Sequence, residues 1–388
     1  MQPPIYLDYA ATTPLDPQVA AVMGEILAAT DLFGNPASLH FYGERAQEKI
    51  AIARGQVADY LHADPNEIIW TSGATEANNL ALKGAAHFYR ERGRHIITLQ
   101  TEHKSVLDTC AQLEREGFTV TYLRPQTNGV LNLADLQQAL QKDTILVSIM
   151  HVNNEIGVVQ NLAEIAAIVK QHGAMLHVDA AQSIGKVNLN VQEIPIDFIS
   201  LSAHKVYGPK GIGVLYIRRN PRARVLPLFH GGGHEQGVRS GTLPTHQIAG
   251  MGMAFKIAQE QFTQDAQHIR ALHKQLISGL MTIPDIIINS VPECCVPGIV
   301  NISCPGVEGE SLLLALEPEL AVSSGSACTA ATIEVSHVLS ALGIPAELAH
   351  SSLRISFGRF TTASEITKAL EVLQRELKRL RALSSAWS

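Results

Sequence analysis

Two charged residues that follow apolar segments have the types needed for carbonyl chemistry. Lys205 ends a Ser-Ala-His-Lys sequence directly after the strand-like segment 197–201, and Asp179 ends a second apolar segment, 175–178. A desolvated lysine has a lowered pKa, and its neutral amine can attack a carbonyl. A Schiff-base lysine, together with a carboxylate for a pyridinium nitrogen, is what pyridoxal 5′-phosphate (PLP) requires. Taken alone, Lys205 would be read as a surface lysine and Asp179 as a helix-capping aspartate. Together, the two residues predict a PLP site.

A stretch of small and hydroxylated residues at 71–76 could bind an anion. It lies between a strand-like segment and an apolar helix pattern, where backbone N–H groups and the helix dipole favour negative charge. The hydroxyls of Ser72 and Thr75 add donors, although such residues also serve as ordinary helix caps. A second segment, 230–242, contains two histidines separated by three glycines. This spacing does not place two imidazoles on one helix face, so it predicts a flexible loop near a ligand rather than a metal site.

The composition indicates a cytosolic globular enzyme of two domains. A chain of 388 residues exceeds what one hydrophobic core usually supports. The net charge of −6 gives no basic surface for nucleic acid, and no apolar run approaches the roughly 18 residues that span a bilayer. The first residues lack the pattern of a secretory signal. Five cysteines without a Cys-x-x-Cys pair favour a reducing compartment over a disulfide framework or a zinc site.

Strand-like and helix-like segments alternate through the first two thirds of the chain. This pattern predicts an α/β fold whose mostly parallel sheet has helices on both faces and a ligand beyond the carboxyl ends of its strands. The strand-like segments are 67–71, 95–99, 118–123, 144–150, 174–178, 197–201 and 212–217. The helix-like segments are 42–62, 76–92, 104–116, 132–141 and 161–172.

The last third of the chain predicts a second, smaller unit. Residues 245–282 form one continuous helical pattern that would connect the two parts. Beyond it the pattern predicts strands near 286–288, 299–303 and 352–357, and helices at 309–316 and 362–381.

Ordered motifs along essentially the whole chain resemble the cysteine desulfurases of the NifS and IscS class. The motifs are 7–14, 34–38, 71–76, 101–103, 151–155, 177–182, 202–205, 239–242, 323–328 and 354–360. The resemblance implies a fold type I PLP-dependent transferase, with a seven-stranded, mostly parallel sheet in the large domain. It implies a large PLP-binding domain at 15–260. Residues 1–14 and 261–388 would form a smaller α+β domain that carries a mobile catalytic loop at about 321–333.

The same resemblance implies roles for the residues around the cofactor ring. Lys205 would form the Schiff base and move the substrate α-proton, and Asp179 would pair with the pyridinium nitrogen. Gln182 would hydrogen-bond the phenolic oxygen of the ring. His103 would stack on the ring and handle protons as a third catalytic residue beside Lys205 and Cys328.

Further residues are implied to bind the phosphate and the substrate. The implied phosphate ligands are Ala74, Thr75, Ser202 and His204, with Thr242 reaching across from the partner subunit of a homodimer. Asn154 and Arg354 would lie near the substrate carboxylate, which suits the planar fork of a guanidinium.

Cys328 distinguishes the implied reaction from transamination. It lies among small residues at 323–331, without an aliphatic anchor, as expected for an exposed nucleophilic cysteine in a mobile loop. The resemblance implies that Cys328 takes sulfur from L-cysteine as a persulfide and releases L-alanine. The sulfur would pass to an iron–sulfur scaffold protein or to other acceptors, including those of tRNA thiolation. No resident metal site is expected, although Cys328 is a candidate transient ligand of an iron–sulfur cluster.

Two other functions stay open at this point. Selenocysteine lyase shares the scaffold, and a catalytically silent PLP-fold protein could serve as a scaffold or regulator. Retention of Lys205, Asp179 and Cys328 argues against the silent protein. A dehydrogenase is excluded because no Gly-x-Gly-x-x-Gly follows an early strand. Many bacterial relatives continue beyond the last helix into a tail that docks the scaffold. Since this sequence ends at Ser388, we expect reduced affinity for that partner.

Overall fold

The computed structural model describes residues 3–324 and 335–383 of the chain. The strands are β1 (Ile5–Tyr6), β2 (Ile68–Thr71), β3 (His95–Leu99), β4 (Thr119–Leu123), β5 (Thr144–Met150), β6 (Met175–Asp179), β7 (Phe198–Ser202), β8 (Gly213–Ile217), β9 (Ile287–Ile288), β10 (Ile299–Ser303), β11 (Leu320–Ala321), β12 (Ser323–Ser324) and β13 (Ser352–Ser356). The helices are α1 (Pro17–Ala28), α2 (Phe41–Leu61), α3 (Ala74–Tyr89), α4 (Lys104–Arg115), α5 (Leu133–Ala139), α6 (Leu162–His172), α7 (Thr245–Glu260), α8 (Phe262–Leu280), α9 (Gly309–Leu316), α10 (His337–Ala341), α11 (Ala346–His350) and α12 (Ala363–Leu383).

The larger sheet joins the seven strands β2 to β8 of the described chain in the order β2-β8-β7-β6-β5-β3-β4. Strand β8 is antiparallel to both of its neighbours, whereas the other neighbouring pairs are parallel. Strands β2, β3, β5 and β7 are buried along their whole length, which explains why their sequences are apolar runs rather than alternating patterns. The predicted α/β fold with a mostly parallel sheet is confirmed.

Helices cover both faces of this sheet. On one face, α3 and α4 pack through buried residues such as Leu80 and Val106. On the other, α2, α6 and α7 contribute Ile50, Ile165 and Ile248 to a larger core. Because both faces are covered, the ends of the strands are the places where the sheet can present polar side chains to a ligand.

A second, smaller sheet has its own core. Its order is β12-β13-β10-β9, with antiparallel neighbours throughout, and helices α8, α9 and α12 pack on it. Strand β1 pairs in parallel with β11, so the beginning of the chain joins this later part. The exact domain limits, at residues 14 and 260, stay a prediction.

The expected single helix over 245–282 is wrong, because the structure has two helices that meet at Gln261. The backbone of Gln261 is not helical (φ −100°, ψ 3°). Helix α7 packs against α1 and α2, whereas α8 packs against α12. Helix α7 packs on the core of the large sheet and α8 on the core of the smaller sheet. This tertiary packing interrupts a sequence whose local pattern is helical throughout.

The close approach of β8 to the start of α3 gives a stability prediction. A Cβ atom added at Gly213 would lie 2.5 Å from the carbonyl oxygen of Leu201 and 2.6 Å from the Cα atom of Gly73. We therefore expect Gly213→Ala to destabilise the fold by about 1–3 kcal/mol, because backbone must move to admit the methyl group. Chemical denaturation measures the loss. The control is Gly24→Ala within α1, where the methyl group meets no atom within 4 Å, and this variant should be about 0.5–1 kcal/mol more stable than the parent. Equal stability of the two variants would contradict the prediction.

Candidate active site

A pocket of about 530 Å³ opens at the carboxyl ends of the large sheet. This volume is typical of small-molecule sites. The predicted residues that line it are Ala74, Thr75, His103, Asn154, Asp179, Gln182, Ser202, His204, Lys205 and Arg354. Two predicted residues stand apart from this group. Thr242 is exposed and does not line the pocket, and Cys328 lies outside the described residues.

Lys205 is held at the floor of the pocket by backbone carbonyls. It lies in a short 3₁₀ turn after β7, and its Nζ atom donates to the carbonyl oxygens of Ala10 (2.6 Å) and Ala11 (2.7 Å). Burial, reinforced by the positive charge of Arg354, lowers the pKa of Lys205 to about 8. At pH 7, about a tenth of this amine is therefore uncharged and nucleophilic, far more than for a lysine that titrates near 10.4.

The lowered pKa predicts the pH dependence of aldehyde binding. Protein freed of PLP and mixed with fresh PLP should react at a rate that rises about tenfold per pH unit below pH 8 and levels off above it. The reason is that only the neutral amine attacks, whereas an ordinary lysine titrates near 10.4. Stopped-flow absorbance measures this rate. A rate that keeps rising tenfold per unit up to pH 10 would show that Lys205 is an ordinary lysine.

Asp179 ends β6 and is 3% exposed. Its two carboxylate oxygens accept hydrogen bonds from the Asn78 side chain (2.7 Å) and the Ala181 backbone (3.0 Å). The neighbouring Glu102 is fully buried, and this burial raises the pKa of Glu102 well above its usual range. Glu102 accepts a hydrogen bond from the Met150 backbone N–H (2.6 Å). Asp179 lines the pocket, whereas Glu102 lies behind it.

Gln182 is oriented by two partners with opposite roles. Its Nε2 atom donates to the Ala10 carbonyl (2.8 Å), and its Oε1 atom accepts from the Lys186 ammonium (3.2 Å). Burial, followed by the charge of Lys205, lowers the pKa of Lys186 to about 7. The Ala10 and Lys186 contacts fix the amide of Gln182, so its second Nε2 hydrogen is the donor left for a ligand in the pocket.

The start of α3 forms one end of the pocket. Gly73 precedes the helix with φ +154°, a conformation that side chains rarely adopt. Glu76 accepts a hydrogen bond from the backbone of Ser72 (2.7 Å) and forms an ion pair with Arg239 (2.8 Å), which fixes this loop. The first turn of the helix and the nearby side chain of His204 line the pocket together. This end therefore suits an anion such as a phosphate.

Arg354 lies on β13, on the side of the pocket that belongs to the smaller sheet. Its Nη2 atom forms an ion pair with Asp8 (2.8 Å), and its Nη1 atom donates to the carbonyl of Asn154 (3.0 Å). Its buried Nε atom has no hydrogen-bond partner among the described residues. The guanidinium is thus held in place with donor capacity remaining for a carboxylate.

Comparison with known proteins identifies the family of this chain. The family model described as aminotransferase class-V matches residues 5–369. The chain is 58% identical to the cysteine desulfurase IscS of Aeromonas salmonicida (strain A449) over 388 residues. This alignment covers 100% of this chain and 96% of that relative. The chain belongs to the aminotransferase class-V family. The sequence-based recognition of a cysteine desulfurase relative is confirmed.

Solved structures agree with this assignment. A NifS-like protein matches with a TM-score of 0.91 and 36% identity, over 97% of this chain and 100% of that one. A structure described as SspA in complex with cysteine matches with a TM-score of 0.82 and 38% identity, over 92% and 100% of the two chains. The predicted fold type I architecture is therefore confirmed.

The pocket fits PLP, the cofactor of this class-V family. The anion-binding end at α3 suits a phosphate, the Lys205 amine suits an aldehyde, and the buried Asp179 carboxylate suits a protonated ring nitrogen. Within residues 3–324 and 335–383, no three histidine, cysteine or acidic side chains could hold a metal ion. The same residues contain no helix that is both long and apolar enough to cross a membrane.

Several residues that support the pocket from behind escaped the sequence analysis. Asn78, Lys186 and Asp8 each contact a predicted site residue. Asn78 gave a signal that could have been used, since it is a polar residue among the apolar positions of α3. Lys186 and Asp8 gave none, because their partners are brought to them by the fold.

Proposed function

We propose that this chain is a PLP-dependent cysteine desulfurase, which releases L-alanine from L-cysteine and leaves the sulfur as a persulfide on Cys328. The observation that carries the proposal is the placement of Lys205, Asp179 and Arg354 around one pocket, in a chain that matches cysteine desulfurases along its whole length. A guanidinium on one side and a nucleophilic amine on the floor suit an α-amino acid.

Each residue has a separate task in the proposed reaction. When bound, PLP supplies an electron sink that stabilises negative charge at the substrate α-carbon. Arg354 binds the substrate carboxylate, and the Lys205 amine removes the α-proton. Asp179 keeps the ring nitrogen positively charged. The Cys328 thiolate then attacks the substrate sulfur, so that a sulfur–sulfur bond forms while the carbon–sulfur bond breaks and its electrons stay with carbon. Lys205 returns a proton to the α-carbon, and the carbon that lost sulfur gains one proton, equivalent to the one that the substrate thiol loses, which completes alanine.

The other cysteines support Cys328 as the nucleophile. Cys110 and Cys304 are buried, and this burial raises the pKa of each thiol to about 12. Partial burial likewise raises the pKa of Cys295 to about 12 and raises the pKa of Cys294. Because the thiolate is the reactive form, these four are poorly suited to attack sulfur.

The last residues described before Cys328 pair with the strand that carries Arg354. Strand β12 pairs with β13 so that Ser323 lies opposite Arg354. Cys328 follows Ser324 by four residues, and an extended chain spans at most about 3.6 Å per residue. Four residues can therefore span at most about 14 Å from Ser324, which pairs with the strand of the proposed substrate-binding guanidinium.

A homodimer is part of the proposal. An aromatic surface patch is formed by Phe33, Phe41 and Tyr42, and Leu39 beside them is 95% exposed. Exposed apolar patches of this kind mark interaction sites. Thr242 is exposed outside its own pocket, as a residue that completes the partner's pocket would be. The proposed acceptors of the sulfur are an iron–sulfur scaffold protein and other cytosolic persulfide acceptors.

Replacing Arg354 tests the substrate-binding role. Arg354→Gln should raise the KM for L-cysteine about ten- to a hundredfold, the effect of losing hydrogen bonds to a charged group, with a smaller change in kcat. Steady-state kinetics measure both constants, and thermal unfolding checks the loss of the Asp8 ion pair. The control is Arg379→Gln, a half-exposed arginine on α12. An unchanged KM in a folded Arg354→Gln protein would contradict the role.

Product analysis tests the activity itself. The protein should form alanine and sulfide in equal amounts from L-cysteine in the presence of a thiol reductant. A higher kcat/KM for L-selenocysteine than for L-cysteine would instead support a selenocysteine lyase. No product from either amino acid, with PLP bound, would support a silent PLP-fold protein.

A further inference from the structure

A chain of hydrogen bonds connects Asp179 to His103 through two residues outside the predicted site. The two Nδ2 hydrogens of Asn78 serve Asp179 Oδ2 (2.7 Å) and Ser105 Oγ (2.8 Å). Ser105 Oγ in turn lies 2.8 Å from His103 Nδ1. Asn78 is fully buried on α3, whereas Ser105 lies in the first turn of α4, so the connection joins two helices across the pocket wall.

The direction of each hydrogen bond in this chain is fixed. The backbone N–H of Ser105, which can only donate, points at His103 Nδ1 (3.1 Å). Nδ1 must therefore be unprotonated and act as an acceptor. Since the Ser105 hydroxyl oxygen already accepts from Asn78, its hydrogen is free to donate to the same Nδ1. A neutral His103 consequently carries its proton on Nε2.

We propose that Asn78 and Ser105 are positioning residues that hold His103 as the Nε2–H tautomer and tie its ring to the carboxylate of Asp179. His103 then presents a hydrogen-bond donor, its Nε2–H, to the pocket. Asn78 also restrains Asp179, because both hydrogens of one rigid amide are used. This inference rests on the proposed function for its kinetic test but not for its structural test.

The structural test reads the tautomer directly and needs no turnover. Long-range proton–nitrogen NMR of PLP-loaded protein with ¹⁵N-labelled histidine, assigned with His103→Gln, should show His103 with Nδ1 bare and the proton on Nε2. Ser105→Ala should increase the Nδ1–H fraction about two- to tenfold, the effect of one hydrogen bond, and Ser105→Thr should restore the parental signal. A parent protein with its proton on Nδ1, or a Ser105→Ala protein with parental signals, would overturn the proposal.

The kinetic test is a double-mutant cycle. Asn78→Leu, which keeps the volume and removes both donors, should lower kcat about ten- to a hundredfold with little change in KM. Ser105→Ala should lower kcat less in the Asn78→Leu background than in the parent, because both act through one chain. The control is Ser311→Ala, an exposed serine whose backbone N–H is likewise capped, here by Glu308. Strictly additive losses would overturn the connection. A parent protein that shows the expected His103 tautomer but forms no alanine from L-cysteine would instead count against the proposed function.

Discussion

Lys205→Ala should lose at least about a thousandfold in alanine formation and should no longer hold PLP covalently. The amine is both the attachment point and the base that moves the α-proton, and a positioned base alone contributes about 10²–10⁴-fold. In the folded protein, burial lowers the pKa of this amine to about 8, below the roughly 10.4 of an ordinary lysine. The measurements are alanine production from L-cysteine and the visible absorbance of the purified protein.

The matched control for this variant is Lys256→Ala. Lys256 lies on α7 with a half-exposed side chain near Glu260, so its removal should leave the absorbance and the rate unchanged. A Lys205→Ala protein that, after borohydride reduction and unfolding, still carries the covalently attached mass of the cofactor would place the cofactor on another residue. That result would contradict the assignment of the pocket.

Cys328→Ser should abolish sulfur transfer while PLP binding and the absorbance spectrum stay as in the parent. The expected loss in persulfide formation is at least about a thousandfold, because a hydroxyl near neutral pH is a far weaker nucleophile than a thiolate. Binding of L-cysteine should persist, since Arg354 and Lys205 are intact. Spectral titration with L-cysteine and persulfide labelling separate these two properties.

The other thiols provide the control for Cys328→Ser. Cys294→Ser and Cys304→Ser should keep the parental rate, because burial raises the pKa of both thiols and neither lines the pocket. If Cys328→Ser formed persulfide at the parental rate while one of these variants did not, the nucleophile would have to be reassigned.

The local chemistry of the site could be predicted from the sequence, because each part follows the end of a strand. Asp179 ends β6 and Lys205 lies in the turn that follows β7, and these two strands are parallel neighbours, so both residues meet at the same edge of the sheet. The start of α3 meets them there because β2 belongs to the same sheet. The mostly parallel sheet could also be predicted, because a helix between two successive strands returns the chain so that the strands run parallel.

The connections between these parts could not be predicted, because they depend on three-dimensional proximity. Asn78 and Ser105 meet only because α3 and α4 pack side by side on one face of the sheet. Lys186 contacts Gln182 only after the turn that follows β6 has folded. The break at Gln261 has no Pro or Gly to signal it, since the two halves of the expected helix pack on different cores.

Peptide mapping after a single turnover tests the central claim most directly. The PLP-loaded protein is mixed with one equivalent of L-cysteine without reductant, quenched, alkylated and digested for mass spectrometry. The account predicts one added sulfur atom on the peptide that contains Cys328, with one equivalent of alanine released. Sulfur on the peptides of Cys110, Cys294, Cys295 or Cys304, or pyruvate in place of alanine, would contradict it.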